Sequence, residues 1–378
     1  MMMRRRIGIL LLLIFSLVGC GINPSDATIP EDVSNTIEEV TEEATDEVAE
    51  EVKEALDIKH ELRFDEDGEF RILLIGDVQW GTDYDRCSGY DEQFQAMLQN
   101  IETLVERENP DLVLFAGDNT DEVSTLEDLK TLWDDVIEPI ESRQIPWAFC
   151  NGNHDGEPGN VSREDQQAFF ESYEHCVAKT GNEDLHGVGN YVLPVLRSDS
   201  DTIAFNIWTL DSGMVKVVKF PEWHSECDYI HFDQIMWYYQ TSELLEEYNG
   251  AKIPAMMLFH IPLYEGYTAW EYKDLLGYEG RGNADATPAQ YNSGLFAALL
   301  DRGDVKLIAN GHIHSNDYAI EYEGVTFCHC GVPGESPIRS SHPDAIGARV
   351  IVVNQDDAEN LETYMSYITD YNFEGIFQ

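Results

Sequence analysis

Five short apolar runs along the chain have the length and composition of buried β-strands. Each is rich in Val, Ile, Leu, Phe or Met, and each ends abruptly in glycine or polar residues. Helix-like stretches lie between the runs, so the pattern predicts an α/β layered fold. The runs cover residues 71–75, 111–116, 145–150, 255–259 and 305–310.

Polar side chains follow every one of these runs. The tails read GDVQ at 76–79, GDN at 117–119, NGNHD at 151–155, HIP at 260–262 and GHIH at 311–314. Ligands gather at the carboxyl ends of strands in α/β sheets, and a neighbouring glycine lets the backbone approach closely. The sequence therefore predicts that these side chains meet in one site.

The residue types in the tails indicate a metal site. Asp offers carboxylate oxygen, Gln and Asn offer amide oxygen, and His offers nitrogen. The absence of cysteine from these positions argues against a structural thiolate zinc site. The ligands are too many for one ion, and a shared Asp could bridge two. A lone GD is a common turn, GHxH is more specific and GNHD is more specific still; all five tails in order leave little room for chance.

The order D-x-Q, GD, GNHD, H-x-P and GHxH resembles that of the calcineurin-like metallophosphoesterases, from about residue 72 to residue 317. The stretch 291–318 looks most similar to the branch related to purple acid phosphatases. The resemblance implies an α/β fold, a four-layer αββα sandwich with two mixed β-sheets and metals at one edge. It also implies a phosphoric ester hydrolase that uses a hydroxide activated by two divalent metals.

The same resemblance implies a role for each residue of the tails. His154 would be the catalytic general acid that protonates the leaving oxygen. The implied ligands are Asp77, Gln79 and His314 for metal one, Asn153, His260 and His312 for metal two, and Asp118 as the bridge.

Two positions depart from the family pattern. Many relatives have His where this chain has Gln79, and an amide oxygen is a harder, weaker ligand than imidazole. We therefore expect two divalent ions with Mn²⁺ favoured and Fe, Zn and Mg as alternatives. Asp121 stands where purple acid phosphatases place Tyr, so no iron–tyrosinate colour is expected.

The first 20 residues predict export. Three arginines at 4–6 precede an apolar run over 7–18, which is shorter than the roughly 20 residues of a membrane span and suits a signal peptide. The run ends in LVGC, which resembles a bacterial lipobox with Cys20 as the lipidated residue. We expect a protein anchored by lipid at the extracytoplasmic face of a bacterial cell membrane; an ordinary cleaved signal is the alternative.

Residues 21–60 predict an acidic linker, followed by a phosphoesterase domain over 61–378. The linker holds thirteen Asp or Glu, two Lys and no aromatic residue, which favours a charged stalk over a partner-binding helix. The net charge of −49 argues against a nucleic-acid-binding surface and suits the capture of cations. No protein partner can be inferred.

Several other residues leave alternatives open. The cysteines at 87, 150, 176, 227, 328 and 330 show no zinc-site spacing and fit either disulfides or buried thiols. The histidines outside the tails show no ligand spacing. Arg281 and Arg339 are candidates for gripping a substrate phosphate, although ordinary surface arginines are as well supported.

The leading functional prediction is hydrolysis of a phosphorylated small molecule, as a phosphomonoester or phosphodiester, outside the cell. The presence of Gln79 favours one alternative, cleavage of the pyrophosphate bond in molecules like ADP-ribose or CDP-alcohols. A second alternative is a catalytically weak surface binding protein on the same fold. The intact set of implied ligands argues against that second alternative.

Overall fold

The computed structural model describes residues 52–53, 57–81, 90–121, 123–157, 160–218, 224–282, 288–289, 291–334 and 346–368. The predicted signal peptide, Cys20 and nearly all of the acidic linker lie outside these residues, as do Cys87 and Arg339. The predicted domain boundaries therefore stay a prediction. In the described residues no helix combines the length and the apolar composition that crossing a membrane requires.

The described part of the chain contains fourteen strands and seven helices. The strands are β1 Leu62–Arg63, β2 Glu69–Ile75, β3 Leu112–Phe115, β4 Trp147–Phe149, β5 Tyr191–Leu196, β6 Ile203–Thr209, β7 Val215–Val218, β8 His224–Cys227, β9 Ala255–Leu258, β10 Val305–Asn310, β11 Ala319–Tyr322, β12 Val325–His329, β13 Gly347–Asn354 and β14 Glu362–Tyr367. The helices are α1 Tyr90–Glu108, α2 Leu126–Glu141, α3 Arg163–Glu171, α4 Phe232–Asn249, α5 Tyr264–Glu271, α6 Lys273–Leu276 and α7 Leu295–Arg302.

Two mixed sheets form the centre of the fold. The seven-stranded sheet has the order β1-β5-β6-β9-β10-β12-β11, and the five-stranded sheet has the order β14-β13-β2-β3-β4. Strands β2, β3 and β4 run parallel, as do β6, β9, β10 and β12. The two strands β7 and β8 pair as a separate antiparallel hairpin.

Helices cover the outer faces of the two sheets. In the seven-stranded sheet, Phe205 and Ile207 of β6 join a core cluster that also contains the five-stranded sheet, whereas Trp208 packs against Tyr238 of α4. On the five-stranded sheet, Phe115 of β3 packs against Trp133 of α2. Because successive side chains of a strand point to opposite faces, this alternation buries both faces and produces the predicted αββα layers.

Local sequence explains the boundaries of the helices that flank the site. Thr125 accepts a hydrogen bond from the backbone N–H of Asp128 at the start of α2, and Ser162 caps α3 through Asp165 in the same way. Such caps satisfy backbone donors that the first turn of a helix leaves unpaired. Helix α4 ends at Asn249 and is capped by Gly250, whose φ of 75° is left-handed.

All five predicted strands are present. The strand predicted at 305–310 coincides with β10, and the others differ by at most two residues at an end. The structure divides them between sheets, with β2, β3 and β4 in one and β9 and β10 in the other. Their polar tails must therefore meet across two sheets rather than along one edge.

Candidate metal centre

Backbone hydrogen bonds join the tails of strands from both sheets. The N–H of His312, after β10, donates to Oδ1 of Asp77, after β2, at 3.0 Å. The N–H of His154, after β4, donates to Oδ1 of Asp118, after β3, at 2.8 Å. The N–H of Gln79 donates to the carbonyl of Asp118 at 2.7 Å. The predicted convergence of these tails is therefore seen in the structure.

The backbone of the site is held in an unusual conformation. Asp77, Gln79, Asp118 and His312 have φ values of 43°, 42°, 48° and 71°. These values lie in the left-handed region, which residues other than glycine rarely occupy. Strain of this kind is of order 1–3 kcal/mol per residue and concentrates at functional sites. A Cβ on Gly152 would lie 2.0 Å from the backbone N of Asp118, so the NGNHD tail requires glycine there.

The ligand atoms fall into two groups that share Asp118. One group contains Asp118, His260 and His312, the other contains Asp77, Asp118 and His314, and within each group the atoms lie within 4.8 Å of one another. Oδ2 of Asp118 is 3.1 Å from Nε2 of His260. Oδ1 of Asp77 is 3.3 Å from Nε2 of His314. This geometry suits a pair of cations with one bridging carboxylate.

Two buried amide oxygens are also suited to binding a metal ion. Gln79 and Asn153 are 1% and 2% exposed, and Oε1 of Gln79 and Oδ1 of Asn153 accept no hydrogen bond from the described residues. The amide nitrogen of Gln79 donates to Oδ2 of Asp118 at 3.2 Å, which assigns its oxygen as the unpaired atom. An unsatisfied buried acceptor costs about 1–3 kcal/mol, and coordination of a cation would remove that penalty.

The ring of His260 is oriented as a metal ligand requires. Its Nδ1 donates to the backbone carbonyl of Ala116 at 2.8 Å, which directs Nε2 toward Asp118 and leaves that nitrogen as the one for coordination. Ligating histidines characteristically donate their second ring N–H to a backbone carbonyl or carboxylate, which fixes the tautomer. His260 is completely buried.

The electrostatics favour an ionised bridging carboxylate. Burial works against ionisation of Asp118, but the imidazoles of His260 and His154 hold the pKa of its carboxyl well below the usual value. Burial lowers the pKa of His260, but the carboxylates of Asp118 and Asp77 raise it to about 9. Burial and the neighbouring His260 together lower the pKa of His312 to about 3. Asp118 therefore has the deprotonated form that binds metal.

A family model described as calcineurin-like phosphoesterase matches residues 70–316. The chain belongs to the calcineurin-like phosphoesterase family. It is a phosphoesterase, and the family and the ligand groups together indicate a binuclear site for divalent metals. The family predicted from the order of the motifs is confirmed.

Three relatives of this phosphoesterase in Arabidopsis thaliana are named probable inactive purple acid phosphatases. It is 27% identical over 299 residues to the probable inactive purple acid phosphatase 14 of Arabidopsis thaliana, and the aligned region covers 73% of each chain. It is 29% identical over 278 residues to the phosphatase DCR2 of Saccharomyces cerevisiae, covering 68% of this chain and 46% of that protein. Among solved structures, GAP50, the anchor in the inner membrane complex of Plasmodium, is similar at 17% identity and a TM-score of 0.48, covering 79% and 89% of the two chains.

His154 of the phosphoesterase lies between two carboxylates. Its Nδ1 is 3.1 Å from Oε1 of Glu157 and 3.9 Å from Oδ1 of Asp121. Asp121, noted in the sequence only for replacing a tyrosine, is thus a neighbour of the predicted general acid. The side chain of His154 is 23% exposed, compared with 15% for His314 and 1% for Asp118, so it is more accessible than these predicted ligands.

Sequence reasoning assigned no role to Asp155, although it belongs to the NGNHD tail. Its carboxylate accepts backbone N–H groups from Gly152 at 2.8 Å, Asn119 at 3.1 Å and Thr120 at 2.9 Å. These bonds join the tails after β3 and β4, which carry Asp118 and Asn153. One signal for this role was available in the sequence. Asp155 is a charged residue inside the metal motif, yet the family resemblance gives it no ligand role.

Cys227 was also missed, because an isolated cysteine gives no spacing to read. Its Sγ lies 3.5 Å from Nε2 of His312, and the residue is 9% exposed. The described cysteines carry thiols rather than disulfides, and they are Cys150, Cys176, Cys227, Cys328 and Cys330. For these residues the alternative of buried thiols is the correct one.

Arg281 lies beside the segment that follows the GHIH tail. Its carbonyl accepts the backbone N–H of Asp317 at 2.9 Å. Its exposed guanidinium sits over the ring of Tyr367, 5.1 Å from the centroid. A role of Arg281 in gripping a substrate phosphate stays a prediction.

Proposed function

We propose that this phosphoesterase hydrolyses phosphate esters of small molecules with two divalent metal ions. The observation that carries the proposal is the pair of ligand groups that share Asp118, with two otherwise unpaired amide oxygens beside them. A binding protein without metal would have no use for buried acceptors and carboxylates in this arrangement.

Each metal would be held by residues from both sheets. The proposed ligands are Asp77, Gln79 and His314 for one ion, Asn153, His260 and His312 for the other, and Asp118 for both. Such a pair, when bound, supplies a nucleophile at neutral pH and neutralises charge on the phosphoryl oxygens. The oxygen-rich set, with Gln79 in place of a histidine, favours Mn²⁺ at the first position.

His154 would hold the proton for the leaving oxygen. Its Nδ1 faces Glu157 and Asp121, so Nε2 is the ring nitrogen left to face the substrate. Positioned general acids contribute roughly 10²–10⁴-fold to a rate. The backbone N–H of His154 on Asp118 keeps the ring next to the bridging carboxylate.

The test combines metal analysis with hydrolysis. Protein stripped with a chelator and reloaded with Mn²⁺, Zn²⁺, Fe²⁺ or Mg²⁺ is assayed on para-nitrophenyl phosphate, its bis ester and ADP-ribose. We expect about two ions per chain, as for other two-metal hydrolases, and fastest turnover of the simple esters with Mn²⁺. No bound metal and no hydrolysis of any of the three would refute the proposal.

The same assay separates two further functions. Preferential cleavage of ADP-ribose would favour a pyrophosphate-bond hydrolase. The D-x-Q pattern at Asp77 and Gln79 supports this alternative. The Arabidopsis relative carries the word inactive in its name. Two bound metals without turnover of any ester would favour a surface binding protein on this fold.

We also propose that the chain is anchored by lipid on Cys20 at the extracytoplasmic face of the membrane. The support is the export pattern of residues 1–20 and the LVGC motif. In a bacterial host, Cys20→Ala is expected to release the protein from the membrane fraction and to abolish labelling by a palmitate analogue. Unchanged labelling of the variant would refute lipidation at this residue.

A further inference from the structure

Cys227 lies buried at the edge of the metal centre. It is the last residue of β8, opposite Val215 of β7, and it packs in a small apolar cluster with Ile261 and Ala289. Ile261 directly follows His260, so this cluster adjoins the proposed ligands of metal two. From this position Sγ of Cys227 comes within 3.5 Å of Nε2 of His312.

The contact between Cys227 and His312 resembles the one that His260 makes with a backbone carbonyl. A ligating imidazole coordinates through one ring nitrogen, and the other nitrogen needs a partner that fixes the tautomer and the ring plane. For His260 this partner is the carbonyl of Ala116. For His312, whose ring lies 5.2 Å from that of His260, the atom in the corresponding position is Sγ of Cys227. A thiol sulfur accepts hydrogen bonds weakly, but here it is buried beside its donor.

We propose that Cys227 is a positioning residue of the metal centre, accepting the Nε2–H of His312 and thereby presenting Nδ1 to the second metal. The inference rests on the proposed two-metal function. The ring of His312 has two nitrogens, so engagement of Nε2 by sulfur leaves Nδ1 for coordination. Partners of this kind typically raise metal affinity by about 10–100-fold.

A direct bond from the thiol to metal is a different arrangement, and the geometry does not favour it. Among the described residues, the groups whose ligand atoms lie within 4.8 Å of one another contain Asp, Glu and His but no Cys. The remaining alternative is that Cys227 only fills space against Ile261 and Ala289. That alternative and the proposal make opposite predictions for two substitutions of similar size.

Cys227→Ser keeps an acceptor and loses apolar packing, whereas Cys227→Val keeps apolar packing and loses the acceptor. Full-length proteins with each change are compared with wild type for Zn²⁺ and Mn²⁺ dissociation constants, measured by competition with a chelating dye, and for the melting temperature after metal removal. Cys176→Val, at a buried core position, is the matched control.

We expect Cys227→Val to weaken binding of one of the two metals by about 10–100-fold, while Cys227→Ser and Cys176→Val bind both metals as wild type does. NMR of the histidine ring nitrogens in the zinc-loaded wild type is expected to show the proton of His312 on Nε2. This measurement tests the proposal even if a variant fails to fold.

Wild-type affinity in Cys227→Val, a larger loss in Cys227→Ser than in Cys227→Val, or a proton on Nδ1 of His312 would each overturn the inference. Two metals bound equally by wild type and Cys227→Val would overturn this inference alone. A wild type that takes up no metal would overturn the proposed function as well.

Discussion

Arg163 and Asp211 form a buried ion pair behind the metal centre. Nη1 of Arg163 lies 2.6 Å from Oδ1 and 2.7 Å from Oδ2 of Asp211, and the side chains are 8% and 0% exposed. Arg163 also donates to the carbonyls of Gly152 and Asp155. Asp211 follows β6 of the seven-stranded sheet, and Gly152 follows β4 of the five-stranded sheet. Arg163 bonds to both residues and therefore connects the two sheets.

Arg163→Met is expected to lower the free energy of unfolding by about 3–5 kcal/mol, because it leaves the carboxylate of Asp211 buried without its partner. Urea denaturation measures the change. The control is Lys130→Met, which removes an exposed pair with Asp134 and should cost less than about 1 kcal/mol. Similar losses in the two variants would mean that the buried pair contributes no more than a surface one.

Asp118→Asn is expected to remove both metals, because Asp118 is the one residue common to the two ligand groups. Elemental analysis of the purified variant measures metal per chain. Asp301→Asn, at an exposed carboxylate bonded to Tyr239, serves as the control and should retain wild-type metal. Full metal content in Asp118→Asn would exclude a bridging role for this carboxylate.

His154→Ala is expected to lower kcat by about 10²–10⁴-fold for esters with poor leaving groups, since these require protonation. Metal content should stay at the wild-type level. Esters of para-nitrophenol, whose leaving oxygen needs little protonation, should show a smaller loss and act as the internal control. Equal losses for both kinds of ester, or loss of metal, would make His154 a structural residue.

Gln79→His is expected to shift metal preference toward Zn²⁺ relative to Mn²⁺, because imidazole is a softer ligand than an amide oxygen. The ratio of the two dissociation constants measures the shift. Gln99→His, which adds an imidazole on the exposed side of α1, controls for an extra histidine elsewhere. An unchanged ratio would indicate that Gln79 does not contact metal.

Metal removal is expected to destabilise the protein. An ion at about 100 times its dissociation constant contributes about 2.7 kcal/mol of stability, because it binds only the folded state. The melting temperature should therefore fall when a chelator is added and recover with Mn²⁺. The melting temperature of Asp118→Asn should not respond to the chelator, and a wild type that does not respond either would contradict metal binding.

The chemistry of the site was predictable because its residues occur in short, continuous segments of the sequence. An apolar run followed by GD or GNHD predicts a strand whose polar tail is set by its own neighbours in the chain. Asp77, Asp118, His260 and His312 were each identified in this way, and the structure brings their ligand atoms into two groups that share Asp118. The left-handed φ of Asp118, and Asp118 as the residue that Gly152 approaches, were not foreseeable, because they depend on contacts between different tails.

By itself the sequence determined which residue types stand at the ends of the strands, and with them the family and the chemistry. Only the tertiary structure decided that β2, β3 and β4 lie in one sheet and β9 and β10 in another, and that Arg163, Asp211 and Cys227 support the site where the two meet. The physical reason is separation along the chain. Patterns of apolar and polar residues report local conformation, whereas the pairing of Arg163 with Asp211, or of Cys227 with His312, arises only when distant segments pack together.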